Sequence, residues 1–187
     1  MLHRIFQIIF VGALALSTGR ANAQSAATTA DPQLPQVRAA IQAAELGQFN
    51  AVQYGNLAAH PLYGWIEYAA LKRDIDTLPD AQGQAFLARY KGQAVAEAFR
   101  ELWLAALSRR EDWPAFRAAW SPAIKGNVLR CAELNARQAT GAADPQWTSD
   151  AQALWKALGS KQTPKECEAP FAVLAAKGGL PPAMRWE

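Results

Sequence analysis

The chain has 187 residues, a formal charge of +3 and no basic run or stripe, so its slight positive balance is not the footprint of a nucleic-acid-binding protein. The length suits one domain or part of a larger protein. Alanine is abundant and β-branched residues are few, a composition that favours helix over strand.

The start of the chain is not part of the fold. A short basic head, Met1 to Arg4, precedes an apolar run from Ile5 to Leu16 and an A-x-A site at Ala21-Asn22-Ala23. That is the pattern of a secretory signal peptide over residues 1–23, with cleavage expected before Gln24. The apolar run of about 12 residues is shorter than the ~20 a spanning helix needs. No cysteine follows the cleavage site to carry a lipid, and a retained anchor is the alternative. Arg4 and Arg20 leave with the signal, so the mature charge is about +1. Export leads to an oxidising compartment, where Cys131 and Cys167, the only two cysteines, read most simply as one disulfide; a pair of buried free thiols is the alternative. A closed loop of about 36 residues is worth roughly 3–4 kcal/mol in a chain-entropy account.

Residues 24–33, rich in Ala, Thr, Ser and Pro, read as a mobile leader. Leu34, Val37, Ala40, Ile41 and Ala44 then recur at helical spacing, and Gly47 is placed to end that helix. A segment from Asn50 through Val52, Tyr54 and Leu57 reaches His60. His60-Pro61-Leu62-Tyr63 opens the next helix, with proline in its first turn. Asp74 to Asp80 breaks the pattern, and Phe86, Leu87 and Tyr90 mark a short helix closed by Gly92. Val95 to Arg109 carries the strongest stripe, through Phe99, Leu102, Trp103 and Ala106, with Arg109 and Arg110 suited to its negative end. Asp112 is placed to cap a short helix with Pro114 in its first turn, and Ser121-Pro122 ends it.

Val128 to Thr140 is a further helix, broken by Gly141 and Asp144-Pro145. Asp150 reads as the cap of a helix through Leu154 and Leu158, and Thr163-Pro164 as the start of one carrying Cys167 and Phe171. Pro181-Pro182 begins a last helix that Glu187 cuts short, whereas a solenoid should finish in a polar capping helix. The expectation is an all-α chain of about nine helices over residues 34–187, truncated at its C-terminal end, in which short turns make successive helices antiparallel hairpins of an α-solenoid. No fixed repeat period is visible.

Four stretches in order then carry a family resemblance. His60-Pro61-Leu62-Tyr63-Gly64-Trp65-Ile66-Glu67-Tyr68 resembles the H-P-L-x-x-W/Y-x-E-Y segment near the start of the soluble lytic murein transglycosylases. Trp103-Leu104 to Arg109, followed by Trp113, Phe116 and Trp120, is similar to the W-L…L…W…F pattern that comes next. Cys131, Trp155 to Gly159, and Lys165 to Cys167 with Phe171 resemble the Cys…W…G…C…F module whose cysteines form a disulfide. The resemblance implies a periplasmic protein and a right-handed α-superhelical N-terminal domain, part of a ring. It also implies peptidoglycan glycan strands as partner, with a separate lysozyme-like C-terminal domain that cleaves the β-1,4 bond between N-acetylmuramic acid and N-acetylglucosamine. The catalytic glutamate of that domain sits in a Glu-Ser motif with Gly-Leu-Met-Gln downstream. Neither motif occurs here, so no catalytic residue is carried over, and the chain alone is expected to be inactive.

The residues themselves agree. His60 is the only histidine after the signal, which leaves no metal set, no nucleophile–base pair and no expected cofactor. Among the carboxylates, Glu67 stands out because it sits between Trp65 and Tyr68. It reads either as a sugar contact or as a helix carboxylate bonded to a neighbouring turn or arginine, and the second is the expected reading. Tryptophans can stack on sugar rings; at helical spacing Trp65, Trp103 and Trp155 read as core, while Trp120 and Trp147, nearer turns, read as the exposed pair and candidate glycan contacts. The rival to a transglycosylase region is an independent periplasmic helical-repeat scaffold that docks partner proteins.

Overall fold

A computed structural model describes residues 31–141, 145–159 and 163–180, and among these the secondary structure is eight α-helices and three 3₁₀ turns, with no strand. The signal peptide, the leader up to Ala30, Asp144 and the helix expected from Pro181 lie outside the described residues. By backbone contacts the chain divides between Asp31 and Pro32, and the helices of the described residues belong to the second unit.

Helix α1 (Leu34–Glu45) buries Val37, Ala40 and Ala44 against α2 (Tyr63–Arg73), which contributes Ile66 and Ala69. The segment between them is not the helix expected from Asn50. It is a run of turns with one 3₁₀ turn at Gly55–Leu57, and Val52 is 91% exposed. The reason is local: the Asn50 side chain accepts from the Val52 N–H at 2.9 Å, which offers the backbone a turn in place of a helix. His60 closes the run, its Nδ1 accepting from the Leu62 N–H at 3.0 Å.

A 3₁₀ turn at Ile75–Thr77 leads to α3 (Asp80–Arg89) and the long α4 (Ala94–Arg109). Arg109 and Arg110 do more than sit at the negative end of α4. Arg109 pairs with Asp76, while Arg110 donates to Leu78 O at 3.1 Å and to Asp80 at 2.7 Å. They thereby hold the 3₁₀ turn and the start of α3 on the end of α4. Helix α5 (Trp113–Ala119) starts as expected, with Asp112 Oδ1 accepting from the Ala115 N–H at 3.2 Å and proline in the first turn.

Helices α6 (Asn127–Ala139), α7 (Pro145–Leu158) and α8 (Glu168–Ala176) complete the described chain. Helix α7 begins at Pro145, so Asp150 lies inside it and does not cap it. Pro145 opens the helix because a first-turn proline forfeits no hydrogen bond. Trp147, Ala151, Leu154 and Leu158 then fall on one buried stripe. Cys131 on α6 is bonded to Cys167, at the end of a 3₁₀ turn (Lys165–Cys167), with Cα atoms 4.8 Å apart.

Each helix packs mainly on its neighbours in sequence, α4 and α6 touching several others. Three buried clusters follow one another along the chain. The first joins α1 and α2, the second centres on α4, and the third is built by α6, α7 and α8 around the disulfide. In the second, Phe99 lies 4.4 Å from Phe86 and 5.8 Å from Trp103, ring centre to ring centre.

Candidate functional site

Hollows open between these helices, and the residues singled out in the sequence fall differently among them. Trp147 is fully buried, and its indole N–H donates to Leu134 O at 2.9 Å. It is a core residue, and Trp120 is half-buried against the second cluster, so the two do not form an exposed pair. The early start of α7 explains the reversal, since it places Trp147 on the inward stripe. Trp103 is fully buried too, while Trp65 and Trp155 are half-buried and pack on the second and third clusters.

Glu67 is held within the protein. Arg89 Nη1 donates to its two oxygens at 2.8 and 2.9 Å, and the Tyr90 hydroxyl donates to Oε2 at 2.8 Å. Burial, and then the Glu67 carboxylate beside it, push the Tyr90 hydroxyl up to about 12. The small hollow of about 270 Å³ next to Glu67 is lined by Gln82 and Arg89 and by apolar groups such as Ala70, Leu71 and Phe86. Glu67 thus fastens α2 to the end of α3.

Trp120 lies elsewhere, on a polar cleft of about 300 Å³ between α5, α6 and α7. Its ring stacks on Phe116 at 5.8 Å and 18° between planes. Arg100 of α4 donates to Ala119 O at 2.6 Å, which holds the end of α5 immediately before Trp120. From α6 come Glu133 and Arg137, one helical turn apart, and from α7 comes Asp150. Arg137 Nη1 binds Asp150 Oδ2 at 2.8 Å and stands 3.6 Å from Glu133. Gln146 donates to the other Asp150 oxygen at 2.9 Å, which fixes that carboxylate.

Glu133 is the unusual member. Its side chain is 17% exposed, and Arg137 is the cation beside it. Burial raises its carboxyl above the ordinary glutamate range, against the opposing pull of Arg137. The cleft therefore combines an indole face, two guanidinium groups and two carboxylates. Such a set can accept and donate hydrogen bonds to a polyhydroxylated ring while the indole covers its apolar face. Sequence reasoning missed Arg137 in this role and took Asp150 for a cap. The available signal was the i, i+4 pair of Glu133 and Arg137 on a helix adjoining Trp120. Among the described residues no group of three His, Cys, Asp or Glu side chains stands ready to hold a metal ion.

No protein-family model matches the chain. Over 127 residues it is 29% identical to the soluble lytic murein transglycosylase of Salmonella typhimurium, covering 67% of this chain and 19% of that protein. The soluble lytic murein transglycosylase of Escherichia coli K12 gives the same identity and coverage. The chain thus spans about a fifth of the length of these curated relatives. In fold it is similar to the crystal structure of the 70 kDa soluble lytic transglycosylase from Escherichia coli, with a TM-score of 0.66 and 23% identity over 80% of this chain and 24% of that one. The complex of the 70 kDa enzyme with bulgecin A aligns with the same TM-score and coverage at 25% identity. At the level of family, the likeness of this chain is to the soluble lytic murein transglycosylases, in sequence and in an all-helical fold.

Proposed function

We propose that this chain is the N-terminal superhelical region of a periplasmic soluble lytic transglycosylase, and that it encloses or positions peptidoglycan strands for a catalytic domain carried elsewhere in the enzyme. The observation that carries the reading is the coincidence of the 127-residue sequence match with the same helical fold over 80% of the chain. The serial arrangement of three cores along the chain supports a right-handed superhelix of helical hairpins. The basic, apolar and A-x-A pattern of residues 1–23 and the Cys131–Cys167 bond support export to the periplasm. Glycan contact falls to the cleft of Trp120, Glu133, Arg137 and Asp150.

The chain has no Glu-Ser motif, and the pairing of Asp150 with Arg137 and Gln146 leaves it no role as a free acid. The purified exported chain is expected to sediment with insoluble peptidoglycan and to release no anhydromuropeptides from it. Trp120→Ala should weaken retention about tenfold, a loss of roughly 1.4 kcal/mol. Absence of retention would overturn the reading in favour of a protein-docking scaffold. Release of anhydromuropeptides would overturn the assignment of catalysis to another domain.

A further inference from the structure

A further hollow is larger than both the Trp120 cleft and the one beside Glu67. It is an open groove of about 830 Å³ between the end of α4, the start of α5, the outer side of α6 and the 3₁₀ turn before α8. We infer that this groove binds a short peptide bearing both a free ammonium group and carboxylates, of the kind that peptidoglycan carries on its glycan strands. The inference rests on the reading above for its source of ligand, and on the groove's own chemistry for its class.

The charges are the first argument. Glu111 and Glu166 bring carboxylates to the groove and Lys165 an ammonium, and no described residue forms an ion pair or hydrogen bond with any of these three side chains. In the Trp120 cleft, by contrast, Arg137 and Asp150 neutralise each other. Water solvates these charges in the open groove, but a neutral sugar would make no use of either sign, and a polyanion would be repelled by Glu111 and Glu166. A ligand with an ammonium and a carboxylate satisfies both. Around these charges, Gln138 supplies a neutral amide and Trp113 a half-buried ring, which suit a peptide backbone and its side-chain stems.

The walls are rigid, which is the second argument. The Cys131–Cys167 bond ties the turn bearing Lys165 and Glu166 to α6. Asn135 Nδ2 adds a hydrogen bond to Glu166 O at 2.9 Å. Arg109, on the opposite wall, is anchored by Asp76. A groove held this way loses little freedom when a ligand enters.

Glu111 is the third argument. Helix α4 ends in a left-handed residue, with the Asp112 N–H bonded to Leu107 O at 2.9 Å and the Glu111 N–H to Ser108 O at 3.1 Å. Glycine is the unstrained choice at such a position. Glu111 occupies it at φ 57°, the only non-glycine residue with positive φ among those described. The strain is borne by the residue that brings a carboxylate to the groove.

The test is titration calorimetry on the full exported chain, with two probes. One is the sugar-free peptide freed from peptidoglycan by an amidase, and the other is an oligomer of N-acetylglucosamine. The peptide is expected to bind, to weaken at least fivefold with Lys165→Ala and with Glu111→Gln, and to be undisturbed by the sugar oligomer. All these residues are surface groups, and circular dichroism checks that the variants keep their helix content. Unchanged peptide affinity in both variants overturns the assignment to this groove. Retention on intact peptidoglycan without any binding of the free peptide overturns this inference alone. Peptide binding without retention on intact peptidoglycan overturns the murein reading alone.

Discussion

Gly83 shows how much one missing carbon decides. A Cβ built there would lie 2.4 Å from the Trp103 indole, which is fully buried and has nowhere to move. Alanine would gain about 1 kcal/mol of helix propensity, but overpacking of this kind costs about 1–3 kcal/mol. We expect Gly83→Ala to destabilise the chain by up to about 2 kcal/mol, read as a shift of the urea midpoint. Among the described residues the Trp103 indole N–H meets no hydrogen-bond partner, a cost the core accepts for the area the ring buries. A second residue-scale expectation concerns Tyr90. Its hydroxyl is raised to about 12 in the folded chain, against about 10 in an unfolded one. A raised value stabilises fully below the unfolded value and ceases to do so as pH climbs through the folded one. Stability measured by urea unfolding should therefore fall between about pH 10 and pH 12, and Tyr90→Phe should flatten part of that fall. An unchanged slope would show that the Tyr90 hydroxyl is not raised in the folded chain.

At the scale of elements, the disulfide is the main fastener of the C-terminal third. Its loop contains the whole of α7, and the two cysteines sit in the same buried cluster as Trp147 and Leu174. Replacing both cysteines by serine is expected to cost up to roughly 3–4 kcal/mol from the chain-entropy contribution, measured by thermal unfolding against the oxidised chain. The pairing of Cys131 with Cys167 was legible once the leader identified export, because only two cysteines were present. The boundaries of α1, α4 and α5 were legible too, since their signals are local: a proline in the first turn, an aspartate cap, a glycine or arginine at the end. Two elements were misread for reasons equally local. Asn50 favours an Asx turn over a helix, and Pro145, taken as a breaker, is instead the first residue of α7.

At the scale of the whole molecule, the three cores lie in series and share few helices. Cooperativity across such an array is set by neighbour interfaces rather than by one common core. In the Cys131→Ser, Cys167→Ser chain, hydrogen exchange should therefore strip protection from α7 and α8 while α1 and α2 keep theirs. Simultaneous loss along the entire chain would argue for a single cooperative unit. Helix content, helix order, the disulfide and the family likeness all follow from features a few residues wide, and the sequence by itself determined them. The cleft and the groove do not. Glu67 meets Arg89 across 22 residues, Arg110 reaches Asp80 across 30, and Asn135 reaches Glu166 across 31. The periodicity of one helix says which residues share its face. It does not say which other helix that face will meet, and so only the tertiary structure decided that Trp147 is core, that Trp120 borders a polar cleft, and that Glu111, Lys165 and Glu166 line one groove.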